Sequence, residues 1–353
     1  MKIFINARFL SQPLSGVQRY GIECSRQIKK LHPDVVFLTP KNILYADIAQ
    51  ELGAEIIGVN TGHLWEQTDL PLYMAKQRHQ PLLNFANTAP LLYSNNYLTI
   101  HDLAFYHHPE WNSKMFSAWY NILVPRLAYG SKHLFTVSYT MAGELVKYYG
   151  VPPAKISVTY NGISQRMIDA KPTAPIAKER IILSVGSFNT RKNHQKLIAA
   201  YLDSSVKDDY QLVIVGDKNK VFSETGIDEA TLAGSNIKIH QRFTENELIE
   251  LYHRAEVVVS LSAYEGFGIP LLEGLYNGCR IICSDIPVYR ELYDGLADFC
   301  NPDDMDSVCG ALNAIANKNT ILGEKKELAM LLEKYNYARS AQVILDRIQG
   351  VVK

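Results

Sequence analysis

Tyr264-Glu265-Gly266-Phe267-Gly268-Ile269-Pro270-Leu271-Leu272-Glu273-Gly274 follows, two residues on, the apolar run Val257-Val258-Val259-Ser260-Leu261. A β-branched run reads as a buried strand, and a proline two residues past a glycine reads as the first turn of a helix. The unit is therefore strand, glycine turn, helix. Gly266 and Gly268 leave room for backbone to approach a ligand, and the free amides of a helix start favour a phosphate. Glu265 at the strand end and Glu273 in the first helical turn can face one crevice, where carboxylates accept from sugar hydroxyls. The glycines do not make the GxGxxG spacing of a dinucleotide site, which argues against a dehydrogenase.

The same unit recurs along the chain. Strand candidates lie at 2–6, 35–38, 55–59, 82–84, 97–100 and 134–137, separated by helical stretches such as the one running from Val17 to Leu31. The series begins afresh at Arg180–Val185 and continues at 211–215, 237–240, 256–261 and 280–283. Alternating strands and helices predict α/β architecture with parallel sheets covered on both faces. Two such series predict two doubly wound, Rossmann-like domains, spanning 1–165 and 166–335, with a last helix near 338–351 beyond them and a linker between Gly162 and Lys178. In open sheets of this kind, ligands bind beyond the carboxyl ends of the strands.

Composition narrows the function. The 353 residues carry 36 cationic and 36 acidic side chains, which removes the electrostatic case for nucleic-acid binding. Residues 1–165 hold 14 Lys/Arg against 10 Asp/Glu, and the remainder 22 against 26, so the first half is mildly basic, which favours an anionic ligand or lipid. Five scattered cysteines without a CxxC pair read as reduced thiols. The opening residues lack a signal-peptide pattern, and no run is long and apolar enough for a membrane span. A cytoplasmic location is expected.

Gly186-Ser187-Phe188-Asn189-Thr190-Arg191-Lys192-Asn193 places two cations just past a strand. Cations there can stabilise a diphosphate leaving group. His101 and Asp102 end the run Tyr97-Leu98-Thr99-Ile100, and Gly16 opens the first helix after Gln12-Pro13-Leu14-Ser15. Asp102 also suits a helix cap, and Ser138 an N-cap. Phe105, Tyr106, Trp111, Phe116, Trp119 and Tyr120 form an aromatic stretch, best explained by core packing, with a sugar-stacking or lipid-facing surface as the alternative.

Taken together, the Glu-x7-Glu stretch EGFGIPLLE, the Arg191-Lys192 loop, Val137-Ser138 through Tyr160-Asn161-Gly162, and Asn6-Ala7-Arg8 with Ser15–Tyr20 resemble the retaining glycosyltransferases of family 4, with the GT-B fold. Trp65-Glu66-Gln67, Leu70-Pro71 and His101-Asp102 are similar to a bacterial subgroup that builds cell-surface polysaccharides, several of them mannosyltransferases. The resemblance implies two Rossmann-like domains facing a cleft, with the last helix, 336–353, crossing back to the first. It implies transfer of a hexose, mannose from GDP-mannose, with retention of configuration, onto a glycan acceptor on a lipid carrier. The protein would then work in the cytoplasm, or peripherally at the inner membrane.

The implied catalytic residues are His101, Glu265 and Lys192. The implied donor site is Gly16, Ser187, Arg191, Lys192, Glu265, Gly266, Phe267, Gly268, Ile269 and Glu273, with Asp102 on the acceptor side. No cofactor and no metal are expected. Ser187 stands where some relatives carry arginine, which leaves the diphosphate to Arg191 and Lys192. An epimerase acting on the nucleotide-sugar, or a silent nucleotide-sugar-binding subunit, are the alternatives.

Overall fold

The computed structural model describes residues 1–174, 176–216, 234–241, 243–316 and 325–351. The chain forms two compact units, Met1–Ser164 with Lys334–Lys353, and Gln165–Glu333. The first break falls one residue before the expected boundary, and the second two residues before it. The expected linker is only partly irregular, because Gln165–Asp169 is a short helix of the second unit.

The first unit is built on a seven-stranded sheet: β1 (Ile3–Asn6), β2 (Val35–Thr39), β3 (Glu55–Ile56), β4 (Leu82–Asn84), β5 (Asn96–Ile100), β6 (His133–Thr136) and β7 (Ile156–Val158). Every pairing is parallel, in the order β3-β2-β1-β4-β5-β6-β7. Each residue of β1, β4, β5 and β6 is buried, as expected of strands covered on both faces. The last helix, Tyr337–Gln349, packs against the first, Gly16–Leu31. A β-carbon on Gly162 would lie 2.8 Å from the Tyr337 nitrogen, so glycine is needed where the chain meets that helix.

The second unit holds β8 (Glu179–Val185), β9 (Gln211–Val215), β10 (Ile237–His240), β11 (Ala255–Ser260), β12 (Arg280–Ser284) and β13 (Asp298–Cys300). They pair in parallel in the order β10-β9-β8-β11-β12-β13. Its core joins Ile182, Leu212, Ile214, Val257, Val259 and Ile282 to Leu197 and Tyr201 of the helix His194–Asp203. β7 and β13 escape the sequence reading. Both are three-residue edge strands, too short to carry a pattern.

Strand order reverses once in each sheet, between β1 and β4 and between β8 and β11. Helices leave opposite faces of a doubly wound sheet at such a point, and the gap between their first turns is where ligands lodge. The structure therefore directs attention to the residues following Asn6 and Asn84, and to those following Val185 and Ser260.

Candidate functional site

At the reversal point of the second unit, β8 ends at Val185 and runs through Gly186 to a single tight turn, Thr190–Lys192. Asn193 then takes a left-handed backbone, φ 53°, and its Nδ2 donates to the Leu261 carbonyl at 2.8 Å, stitching this loop to the one after β11. The Ala263 amide donates to the Arg191 carbonyl at 2.9 Å, a second stitch. Lys192 Nζ reaches Glu265 Oε1 at 2.5 Å, with the two side chains only 12% and 10% exposed. A β-carbon on Gly186 would sit 3.0 Å from Lys192 Cε. The lysine stem thus lies directly over the glycine that ends the strand.

Burial alone would raise the Glu265 pKa, but the charges of Lys192 and Arg191 and hydrogen bonds from Lys192 and Ser262 outweigh it and bring it down to about 2. Glu265 is therefore a carboxylate at any working pH. It can accept hydrogen bonds but has no proton to give.

Gly268 has φ 91°, and a β-carbon there would lie 2.5 Å from Tyr289 Cε1, so no side chain fits this turn. Tyr293 Oη donates to the Gly268 carbonyl at 3.0 Å, and Tyr289 Oη lies 2.9 Å from Ser260 Oγ. Both tyrosines belong to the helix Pro287–Tyr293 and fix the glycine loop from behind. Neither was predicted from sequence, since nothing local marks them. Ile269 begins the helix Ile269–Tyr276, with Pro270 in its first turn. Glu273 is its fifth residue, in the second turn rather than the first as expected, and is buried at 2% exposure. Gly266 and Phe267 lie in the same loop, with Phe267 buried. Ser187 is exposed, its hydroxyl accepting from Asn189 Nδ2 at 2.9 Å.

In the first unit, Gly16 is the exposed first residue of its helix. One turn on, the Tyr20 ring meets the His101 ring edge to face at 4.9 Å. His101 is buried just past β5. Its Nε2 lies 2.7 Å from the Phe85 carbonyl. A carbonyl only accepts, so Nε2 carries the proton, and in the neutral ring Nδ1 is an acceptor. Burial lowers the His101 pKa, with the Phe85 bond and the Asp102 charge opposing it, which favours the neutral ring. Asn87, left-handed at φ 61°, accepts the His101 amide at 2.7 Å and holds the backbone in place. Asp102 accepts from the Ala104 amide at 3.1 Å, a turn contact just ahead of the helix Ala104–His107, whose N-cap is Leu103 rather than Asp102. Ser138 does cap its helix, accepting from the Met141 amide at 3.2 Å.

The reversal point of this sheet holds a polar cluster whose wiring the sequence does not reveal. Arg8 Nε donates to Glu66 Oε1 at 3.1 Å, and its Nη2 donates to Thr88 Oγ1 at 2.8 Å. Asn6 Nδ2 donates to Glu66 at 2.9 Å and to Asn84 Oδ1 at 3.0 Å. Arg8 and Glu66 are both buried. Burial would raise the Glu66 pKa, but Arg8 and His63 outweigh it and lower it to about 2. The partners are 58 residues apart, and only the quoted triplets Asn6-Ala7-Arg8 and Trp65-Glu66-Gln67 hinted at them.

Glu66 and Glu265 together predict acid sensitivity. A carboxylate with a depressed folded-state pKa contributes stability above its unfolded pKa and loses it as pH falls toward the folded value. Here that window runs from about 4.5 down to about 2. Thermal melts should be nearly level from neutral pH to ~pH 5 and fall steeply below it, with a shallower fall in Glu66→Gln. A melting temperature unchanged to ~pH 3 would contradict the reading of both pairs.

Comparison with known proteins fits this geometry. The model for Glycosyltransferase Family 4 matches residues 14–165, and that for Glycosyl transferases group 1 matches residues 166–337. The chain belongs to the family 4 glycosyltransferases. Its relatives include the O-antigen chain mannosyltransferase RfbU of Salmonella typhimurium, 28% identical over 331 residues that cover 89% of this chain and 90% of the relative. An N-acetylgalactosaminyltransferase of Campylobacter jejuni, named for a diphospho-undecaprenol acceptor, is 30% identical over 40% of this chain and 38% of its own length. Among solved structures, Anabaena HepE in complex with UDP and glucose superposes with a TM-score of 0.73 at 15% identity, covering 98% of each chain. That likeness places both α/β units of the chain in the GT-B fold class.

Proposed function

We propose that the chain transfers a hexose from a nucleotide-sugar to a hydroxyl of a glycan acceptor with retention of anomeric configuration. The donor is GDP-mannose, and the acceptor is carried on a lipid at the cytoplasmic face of the membrane, in the assembly of a bacterial surface polysaccharide. The buried Lys192–Glu265 pair at the reversal point of the second sheet carries the reading. Names of relatives support the rest: a mannosyltransferase of O-antigen chains and a transferase acting on a diphospho-undecaprenol glycan.

In this reading Lys192 and Arg191 meet the charge that the leaving diphosphate gains as the glycosidic bond breaks, because preorganised cations in a water-poor site stabilise it without reorganisation. Glu265, permanently ionised, accepts from hydroxyls of the transferred sugar. Glu273 holds the ribose diol. His101 accepts a sugar hydroxyl at Nδ1, the nitrogen left by the Phe85 bond. The acceptor oxygen attacks the anomeric carbon on the face the diphosphate leaves, and its proton passes to the departing phosphate oxygen. No covalent glycosyl-enzyme is required, so the carboxylate spacing rule of retaining hydrolases does not transfer.

A thermal-shift screen over GDP-, UDP-, dTDP- and ADP-sugars tests the donor. GDP-mannose should stabilise most, since a ligand that binds only the folded state raises its melting temperature. A larger shift with a UDP-sugar would overturn the donor, and no shift with any would overturn the site. With cations and helix amides assigned to the diphosphate, transfer should survive EDTA. Loss of activity with EDTA, restored by manganese or magnesium, would contradict that assignment. Incubation of the donor alone should leave it intact; conversion to an epimer would replace transfer by epimerisation.

A further inference from the structure

We propose that His63 binds the acceptor, its Nε2 receiving a sugar hydroxyl beside the one that attacks. The helix that carries it, Gly62–Gln67, is short but fastened at three points. Trp65 is fully buried, and its Nε1 donates to the Ile57 carbonyl at 2.8 Å, just past β3. Glu66 Oε1 accepts from Asn6 and Arg8, at the end of β1. Gln67 Nε2 donates to the Ala89 carbonyl at 2.8 Å, and its Oε1 accepts from the Leu91 amide at 2.9 Å, in the segment after β4. Trp65-Glu66-Gln67 thus ties the helix to the residues that follow three strands, and His63 rides on a rigid mount.

The second oxygen of Glu66, Oε2, lies 3.3 Å from His63 Nδ1. Glu66 is fully buried and ionised, so it only accepts, and Nδ1 carries the proton. In the neutral ring Nε2 is then a bare acceptor, because the bond made at one ring nitrogen sets the state of the other. Nε2 has no hydrogen-bond partner among the described residues, and the side chain is 35% exposed. The Tyr120 ring packs against the imidazole edge to face at 5.8 Å. A buried ion pair adds little stability over well-packed apolar residues of the same size. What Arg8 and Glu66 provide is orientation: a guanidinium holds a carboxylate, which holds one tautomer of a half-buried imidazole. The cluster also borders His101. The segment Phe85–Thr88 after β4 holds His101 through the Phe85 carbonyl and the Asn87 side chain, and accepts from Arg8 at Thr88 Oγ1. His101 and the Arg8–Glu66–His63 relay are therefore fixed to one segment, at the sheet edge where ligands lodge. A bare imidazole nitrogen accepts from a hydroxyl and has no proton to offer a phosphate or carboxylate, so the group it selects is a sugar hydroxyl. The inference rests on the transfer reading and supplies its acceptor side.

Kinetics with GDP-mannose and octyl glycosides of mannose, galactose, rhamnose and N-acetylglucosamine test it. His63→Ala should raise the KM of the best acceptor about three- to tenfold, the worth of one hydrogen bond, with a smaller change in kcat and none in the donor KM. Among singly deoxygenated forms of that acceptor, one should be as poor for the wild type as the parent is for His63→Ala, and no poorer in the variant. Glu66→Gln isolates the positioning role. Its amide can keep its oxygen toward Arg8 and turn its NH2 to Nδ1, which moves the ring proton to Nε2. Nitrogen-15 magnetic resonance should show Nε2 of His63 bare in the wild type and protonated in Glu66→Gln, with the acceptor KM raised as in His63→Ala. Should Glu66→Gln fail to fold, His63→Ala and the wild-type tautomer still decide. An unchanged acceptor KM in His63→Ala, or a proton on Nε2 of the neutral wild-type ring, would overturn the inference and leave transfer standing. Absence of transfer by the wild-type chain to every glycoside would instead overturn the transfer reading, and this inference with it.

Discussion

Lys192→Ala is expected to lower kcat about 10²–10³-fold while raising the donor KM far less, the signature of a donor that acts mainly in the transition state. The geometry explains why this lysine and not another. Its stem is laid over Gly186, its ammonium is 2.5 Å from Glu265, and its loop is stitched to the glycine loop through Asn193. Removal leaves the buried Glu265 with the Arg191 charge and the Ser262 hydrogen bond but without its ion-pair partner, so the variant should also melt earlier. Breaking a buried pair costs about 3–5 kcal/mol when nothing replaces the lost partner. Turnover must therefore be read well below the melting range of the variant. Arg191→Ala should act in the same direction and more mildly. The control is Lys196→Ala, whose ammonium meets exposed Asp303 at 2.6 Å. An exposed pair of that kind is worth about 1 kcal/mol at most, so this variant should turn over normally. Wild-type turnover in Lys192→Ala with loss in Lys196→Ala would put the diphosphate on the wrong lysine.

Glu273→Ala is expected to weaken binding of the free nucleoside diphosphate by about 1.5–3 kcal/mol, the range for hydrogen bonds to a charged group. That is roughly ten- to hundredfold in Kd. Glu273 is buried in the second turn of Ile269–Tyr276, a helix held close to its sheet because a β-carbon on Gly274 would come within 2.8 Å of Val258. A carboxylate placed that rigidly can grip a diol without ordering itself first. Titration calorimetry against the nucleoside diphosphate reads the effect directly. Unchanged affinity would remove Glu273 from the ribose.

The central strands were legible because strands buried on both faces are written as uninterrupted apolar runs, as in Ile3–Ile5 and Val257–Val259. The glycine turn was legible because Gly268 and Pro270 mark backbone geometry locally. What stayed hidden depends on residues distant in sequence. Ile156-Ser157-Val158 is a strand only because β6 lies beside it. Arg8 and Glu66 become a buried pair only when β1 and the helix Gly62–Gln67 meet. Tyr289 and Tyr293 brace a loop some twenty residues earlier, and tyrosine has no spacing rule that announces such a role. The aromatic stretch from Phe105 to Tyr120 was best explained as core, yet only Phe105 and Tyr120 of its six aromatics are buried, and Tyr106, Phe116 and Trp119 are exposed.

The central claim is retaining transfer from a nucleotide-sugar at the carboxyl edge of the second sheet. Its most direct test is the anomeric configuration of the product formed from GDP-α-mannose and a lipid-linked glycan acceptor, read by nuclear magnetic resonance. The account predicts an α-linked mannose, formed by the wild-type chain and reduced in rate by Lys192→Ala. A β-linked product, or a mannose released or epimerised whether or not acceptor is present, would contradict it.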